Sequence, residues 1–545
     1  MRKLLLKIGI IASVFVTAIF VFEILLNRQT TSVTAEMDKA TFPVIYFREN
    51  NISYNPMFGY SEKMNIKKMR ECITPVEDRT ATIMIDKCGN AVSRIAYEIR
   101  SIDGEHLIEN GELTDKTEDE NVITTKLSFN DLLKKENEYS LNLELTFGGN
   151  RKAYYYTTII EKDNCKFANK LDFVFDFNKM TFEKDQALAD YIESNGAGDD
   201  YGYARVNINS SFDNITWGKT GMEQMSNPVA YVTDIGADTA IIAIKYCSCI
   251  REDENVLRYY VEEKYRIREG EKRYYLLDFE RITTKMFFPE DEGVEGNIIT
   301  LGITDENIDM VESKDGNIVA FVNGGALYVA DIPANRVSKV FAYYDRDNIE
   351  IRNILNKHDI KILSLTENGE VIFSVNGYVN RGNHEGSVGI MIMTYSGEVN
   401  CVEERAFIPY DGSYERLKLE KDNMLKYSPQ GMVYFYIADS IYAYSVLDDS
   451  LKCIVKNSEG YNISSSESEN IIAWQNDGDY ATELNFLNAD TGQKRKLKAE
   501  EGEYFRLEGF IGEDLIYGII KAEDMFANPG KKINYPEYKL IMIDE

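Results

Sequence analysis

The feature that most restricts what this chain can become is a pattern repeated along its second half. From about Gly296 onward an apolar strand, a polar turn and a second strand recur, most units closing on Asp, Gly or Asn. The pairs are Asn317–Val322 with Ala326–Asp331, Val371–Val375 with Val388–Tyr395, Met432–Ile437 with Ser440–Val446, Ile471–Gln475 with Thr482–Leu487, and Leu515–Ile520 with Tyr538–Ile543. Their starts at Ile318, Val371, Met432, Ile471 and Leu515 lie 53, 61, 39 and 44 residues apart. A single such unit cannot bury its apolar face alone, so the units must stack.

The blades of a β-propeller repeat at roughly this interval, ~40–50 residues. Residues 296–545 therefore resemble a β-propeller of the general bacterial envelope kind. The resemblance rests on periodicity, since no WD or kelch signature is present, and no named family follows from it. A large antiparallel sandwich is the alternative.

The N-terminus carries the second strong signal. Leu4 to Leu26 reads LLLKIGIIASVFVTAIFVFEILL, and from Ile8 to Leu26 only Glu23 is charged. Such a run is close to the ~20 residues that cross hydrocarbon as a helix. Ile8, Ile10, Ile11, Val14, Phe15, Val16, Ile19, Phe20, Val21, Phe22, Ile24, Leu25 and Leu26 are its candidate anchor residues. Arg2, Lys3 and Lys7 precede it, and positive charge on a short flank keeps that flank in the cytoplasm. The sequence thus predicts a single-pass signal anchor, with residues beyond about Asn27 outside the membrane. A cleaved signal peptide is the rival reading; its only A-x-A-like site, Val33-Thr34-Ala35, sits far past the run.

Between these signals the period is two. Residues 29–40 are polar and unpatterned and read as a tether. Residues 41–164 predict short strands: Thr41–Phe47, Ala81–Asp86, Arg94–Arg100, and above all Tyr139–Phe147, where Tyr139, Leu141, Leu143, Leu145 and Phe147 share one face. Gly148-Gly149-Asn150 turns this last strand into Lys152–Ile160. Asn50–Met69 reads as a loop. Strands of this spacing suggest a β-sandwich of immunoglobulin-like architecture, without the Cys…Trp…Cys spacing of true immunoglobulin domains. Residues 165–226 break the pattern and read as a mixed connection, with one helix predicted over Thr181–Glu193 and Thr181 as its cap. Residues 227–545 form the last unit, opening with a meander of Thr239–Ile250, Val256–Arg268 and Arg273–Met286. The expected fold is therefore mainly β: an N-terminal transmembrane helix (within residues 1–28), a sandwich, then a propeller-like domain.

Composition limits the function classes. The net charge is -29, which disfavours a nucleic-acid partner, since phosphate binding needs clustered Lys and Arg. Seven cysteines in 545 residues are too sparse for a disulfide scaffold. Cys72 with Cys88 is an open pairing, and Cys247 and Cys249 fall on one face of an apolar strand. Three histidines, at 106, 358 and 384, show no metal spacing, so no metal or cofactor is expected.

Three stretches carry partial motifs. Asn195–Gly202 is a glycine-acidic loop in which Asp199 and Asp200 either meet a cation or simply turn the chain; it lacks the calcium-loop spacing. Trp217-Gly218-Lys219-Thr220 holds the tail of a phosphate loop, but Asp213 stands where its first glycine belongs. Gly386-Ser387-Val388-Gly389 is no nucleophile elbow, because Glu385 stands where glycine is required. With no catalytic set, the expectation is a tethered extracytoplasmic binding or scaffold protein of the cell envelope. Its propeller would offer a recognition surface for a protein or a cell-wall glycan. The alternative is an envelope carbohydrate-active hydrolase or lyase using paired carboxylates.

Overall fold

The computed structural model describes residues 33–34 and 38–543, apart from 131–132, 253–254, 290–293, 296–297, 304–307, 347–349, 355–356, 422–423, 439, 457–461, 467, 469, 476–477 and 525–536. The predicted anchor residues Ile8 to Leu26 lie outside the described residues. Among the described residues no helix is long and apolar enough to cross a membrane.

Two sheets share the first core. One has five strands, in the order Ile73–Val76, Arg151–Glu161, Glu138–Phe147, Val92–Ser101, Leu107–Glu112. The hairpin read from Tyr139 to Ile160 is present in the register its alternation implies, with Leu143 opposite Tyr155 and Phe147 opposite Arg151. The second sheet has eleven strands. Ile45, Phe47, Ile83 and Ile85 from it meet Ile95, Ile99, Leu141 and Leu143 from the first in one buried cluster.

This stacked pair departs from an immunoglobulin-like unit in two ways. Ile73–Val76 pairs in parallel with the strand Arg151–Glu161. The larger sheet also does not stop at the predicted boundary but runs on through Val229–Ile235, Thr239–Glu252, Asn255–Glu269 and Tyr274–Met286. The meander grouped by sequence with residues 227–545 is therefore hydrogen-bonded into the first unit. The junction is a parallel bridge from Ala230 to Tyr54, made possible by a strand read from sequence as loop. Ile52–Phe58 pairs with Val44–Glu49, turning through Asn50 and Asn51 at φ 44° and 67°. Asparagine tolerates that left-handed conformation, so two adjacent asparagines make a tight hairpin rather than an open loop.

The predicted helix over Thr181–Glu193 is displaced. The helix is Phe167–Glu183, and Thr181 is buried in its last turn, where its hydroxyl donates to the Asn178 carbonyl at 2.7 Å. Phe167, Lys170, Leu171, Val174, Phe177, Asn178 and Thr181 form its buried stripe, the i, i+3, i+4, i+7 spacing of a packed helix. Lys184 at φ 55° ends it. The run of phenylalanines at 173, 175 and 177 hides that period behind an apparent alternation.

Among the described residues five successive antiparallel sheets follow, and they are propeller-like. Their strands are Met310–Glu312, Ile318–Asn323, Ala326–Asp331 and Arg336–Phe341 in blade one; His358–Leu365, Glu370–Tyr378, Val388–Ser396 and Cys401–Tyr410 in blade two; Leu425–Tyr427, Met432–Ile437, Ser440–Ser445 and Ser450–Val455 in blade three; Ile463–Ser465, Ile471–Gln475, Glu483–Asn488 and Lys494–Lys498 in blade four; and Glu503–Ile511, Asp514–Lys521 and Glu537–Ile543 in blade five. Each sequence repeat corresponds to the second and third strands of a blade. In blades one to three those strands are largely covered on both faces and so read as apolar runs, while outer strands such as Lys494–Lys498 (KRKLK) do not. In blade five Leu540 and Met542 of the third strand are exposed.

Blades stack face to face through buried clusters: one with two through Leu327, Phe341 and Phe373, three with four through Tyr434, Ile441 and Trp474, four with five through Leu484, Phe505 and Tyr517. The other face of blade one packs on Met286, Phe287 and Phe288 at the end of the long sheet. Blade two is fastened to the sandwich. The Tyr378 hydroxyl donates to the Gly59 carbonyl at 2.7 Å, and Lys357 ion-pairs with Glu71.

The segment expected to be a plain tether is engaged where it is described. Val33 and Thr34 pair in parallel with Ser338 and Lys339 on the edge of blade one, and Arg352 donates to the Ala40 carbonyl at 2.9 Å. Short polar segments read as flexible from sequence because their partners lie hundreds of residues away.

Candidate ligand cleft

The outer face of the five-stranded sheet carries a cleft of roughly 410 Å³. Its floor follows from strand register. One row across the strands is Tyr154, Glu144, Ala96, Glu112; the next is Tyr156, Asn142, Glu98, Asn110. Ala96 is the short side chain of its row, so the floor dips between Glu144 and Glu112. The segment from Lys63 to Ile66 forms a wall. It is pinned there by the Met64 amide donating to the Tyr156 hydroxyl at 2.8 Å and by Asn65 donating to the Asp411 carbonyl at 3.0 Å.

Glu98, Glu112 and Glu144 in the cleft are each paired with a cation. Arg94 bridges two glutamates, with Nη2 2.6 Å from Glu112 Oε1 and Nη1 3.3 Å from Glu144 Oε1. Lys152 also reaches Glu144 at 2.8 Å, and Arg100 Nε holds Glu98 Oε2 at 2.8 Å. The Lys63 ammonium stands over the Tyr154 ring, 5.7 Å from its centroid. Burial pushes the Tyr156 phenol up to about 12, so it stays a protonated donor. None of these residues was singled out from sequence. The signal available was the outward-facing half of an alternating strand, which sequence reasoning assigns to solvent.

A second polar cluster is sealed inside. Glu263 Oε1 accepts from the Tyr246 hydroxyl at 2.9 Å, and Oε2 accepts from Tyr265 at 2.5 Å and from Asn178 Nδ2 at 2.9 Å. The Arg281 guanidinium lies 3.8 Å from Glu263 and 3.5 Å from the Trp217 ring centroid, and it donates to the carbonyls of Ile215 and Asn214. Burial pulls Arg281 below its ordinary value, with Glu263 opposing that shift. Both side chains are 0% exposed, so the cluster ties helix to sheet.

The sequence candidates resolve locally. Asp199 Oδ1 accepts from the Ser211 amide and from Asn214 Nδ2, both at 2.9 Å, so this carboxylate organises a turn. Trp217 is a buried platform for Arg281 rather than part of a phosphate loop. His384 Nε2 meets Glu404 at 2.7 Å while its ring stacks on Phe407 at 4.0 Å. Cys72 and Cys88 are both free thiols. No group of three or more His, Cys, Asp or Glu side chains able to hold a metal occurs among the described residues.

No known protein family matches this sequence, and no curated protein is similar to it. Among solved structures, TolB from Acinetobacter baumannii is 9% identical, over 54% of this chain and 77% of that one, at a TM-score of 0.22. Dipeptidyl peptidase 4 of Porphyromonas gingivalis is 8% identical, over 55% of this chain and 45% of that one, at a TM-score of 0.26. The WD40 domain of SCAP from fission yeast is 7% identical, over 53% and 70%, at a TM-score of 0.22. These neighbours are β-propeller-like. The propeller-like description of this chain rests on its own stacked sheets.

Proposed function

We propose that this chain is a membrane-tethered extracytoplasmic binding or scaffold protein of the cell envelope, with its ligand held in the cleft on the five-stranded sheet. The observation that favours binding over catalysis is the pairing of Glu98, Glu112 and Glu144 with Arg100, Arg94 and Lys152. Hydrolysis by two carboxylates needs one that gives up a proton and one that stays ionised. A cation lies against each of these three, an arrangement that presents fixed donors and acceptors. The blades, expected from sequence to be the recognition surface, then act as a rigid mount joined to the sandwich through Tyr378 and Lys357. The tether rests on the apolar run from Ile8 to Leu26 and its basic flank.

The test is an array of glycans, peptidoglycan fragments and peptides probed with the full-length protein in detergent, read for both capture and product release. Capture without release supports a binding protein; release of product overturns it in favour of a hydrolase or lyase. Alkaline carbonate extraction of membranes checks the tether separately. Retention in the pellet supports it, and release into the supernatant overturns it.

A further inference from the structure

We infer that the cleft takes a short, uncharged oligosaccharide; the inference rests on the chain being a binding protein. Three observations carry it. The first is charge balance. Lys63, Arg94 and Arg100 line the cleft with Glu98, Glu112 and Glu144, and Lys152 reaches Glu144 from beside it, so a charged ligand meets charges of both signs and gains little from the field. The chain's net charge of -29 further disfavours an anion.

The second is the type of polar group. Ion pairing engages only part of each side chain's hydrogen-bonding capacity. A carboxylate has about four lone-pair sites and a guanidinium five N–H donors, and Arg94 engages Glu112 and Glu144 through three of its nitrogens, with one N–H from each sufficient for those contacts. The remaining donors and acceptors stand close together: Arg94, Glu98 and Arg100 follow one another on one strand, with Glu144 and Glu112 flanking Ala96 on its two neighbours. Vicinal hydroxyls, each donor and acceptor, match such an array without breaking any ion pair, and hydrogen bonds to charged groups are the stronger kind.

The third is shape. The volume falls within the ~300–1,000 Å³ of small-molecule sites. The dip over Ala96 lies between Glu144 and Glu112. One strand beyond Glu144 stands Tyr154, with the Lys63 ammonium over its ring, and this ring supplies an apolar wall for the C–H face of a pyranose.

The experiment is calorimetric titration of the full-length protein in detergent with four trisaccharides: maltotriose and triacetylchitotriose (neutral), trigalacturonate (anionic) and chitotriose (cationic). The expected result is saturable binding of a neutral probe, little changed between about 0.05 and 0.5 M salt. Binding should fall by about tenfold or more in Tyr154→Ala and be lost in Ala96→Leu, which fills the dip. Tyr154→Phe should retain it. Melting temperatures of all variants are read alongside, so that a misfolded variant is recognised and Tyr154→Phe against Tyr154→Ala still decides. Preference for a charged probe with steep salt dependence overturns the inference, as does silence towards both neutral probes or neutral binding that survives Ala96→Leu. Peptide capture lost in Ala96→Leu would overturn the saccharide class and leave the binding-protein reading standing. Cleavage of a probe would instead overturn that reading.

Discussion

The Asn55 side-chain oxygen accepts a hydrogen bond from the Val232 amide at 2.7 Å, across 177 residues of sequence. The same side chain donates to the Ile73 carbonyl at 3.0 Å and to the Thr74 hydroxyl at 2.9 Å. One buried amide thus joins three things: its own strand, the edge of the five-stranded sheet and the strand Val229–Ile235 that leads into the meander. Asn55 itself sits at φ 46°, a left-handed position that asparagine tolerates better than most residues. Asn55→Gly keeps that backbone and removes only the side chain. It should cost about 2–3 kcal/mol, because the Val232 amide is left buried without its acceptor. Chemical denaturation measures this; a loss near zero would show that the junction holds without the amide.

Arg281 and Glu263 make a separate prediction. Removing one partner of a fully buried ion pair typically costs about 3–5 kcal/mol, because the other charge stays buried. Glu263→Gln should fall in that range by denaturant midpoint. Arg281→Lys should not rescue, since a lysine cannot donate to two carbonyls and stack on Trp217 at once. A wild-type midpoint in Arg281→Lys would sink this account.

Glu385 clasps the start of the described sandwich. Its Oε1 accepts from the Thr41 and Phe42 amides at 2.5 and 2.8 Å, and its Oε2 accepts from the Thr41 hydroxyl at 2.6 Å. Hydrogen bonds to a charged acceptor are worth about 1.5–3 kcal/mol. Glu385→Ala should therefore speed amide exchange at Thr41 and Phe42 by about tenfold or more while leaving the blade cores protected. Unchanged exchange at those two amides would mean that packing alone seats the segment.

His358 links stability to acid. It is buried between blades one and two, its Nε2 2.9 Å from the Gly325 carbonyl and its ring 4.7 Å from that of Tyr343. Burial pulls its imidazole below the ordinary value, with the Gly325 contact and Asp359 opposing. The folded form therefore holds it neutral while the unfolded chain takes up a proton. Its contribution to stability is full above about 6.5 and declines as pH falls from there through the lowered folded value. The melting temperature should drop more steeply on acidification in wild type than in His358→Gln. Parallel curves would remove His358 from the explanation.

Thiol reactivity should follow burial. Cys401 and Cys453 are exposed. Burial pushes the Cys72, Cys88, Cys165 and Cys247 thiols up to about 12, and Cys249 is pushed up by the same cause. An aromatic disulfide reagent should titrate two thiols quickly and the other five only after denaturation. A pair that resists alkylation until reduced would contradict the free state of Cys72 and Cys88.

How much of this was legible depends on where each signal lives. Alternation from Tyr139 to Phe147 and the glycine turn after it set a hairpin register unaided, because the period of a strand and the conformation of its turn are local. The blade repeats were legible for the same reason, though only as central strand pairs. Outer strands such as Lys494–Lys498 lack an apolar face and become strands through neighbours already in place. The helix at Phe167–Glu183 was misplaced because aromatic residues at 173, 175 and 177 satisfy two periods at once. Only the long sheet packed against them selects the helical one.

By itself, then, the sequence determined a mainly β chain, its repeat, its acidic charge and an apolar N-terminal run, all properties of residue type and spacing. Tertiary structure alone decided that the meander joins the sandwich, that Glu385 holds Thr41, and that Ala96, Glu112, Glu144 and Tyr154 line one cleft. Each of those depends on groups far apart in sequence meeting across strands. Which strands become neighbours is set by whole-core packing, and no local pattern encodes it.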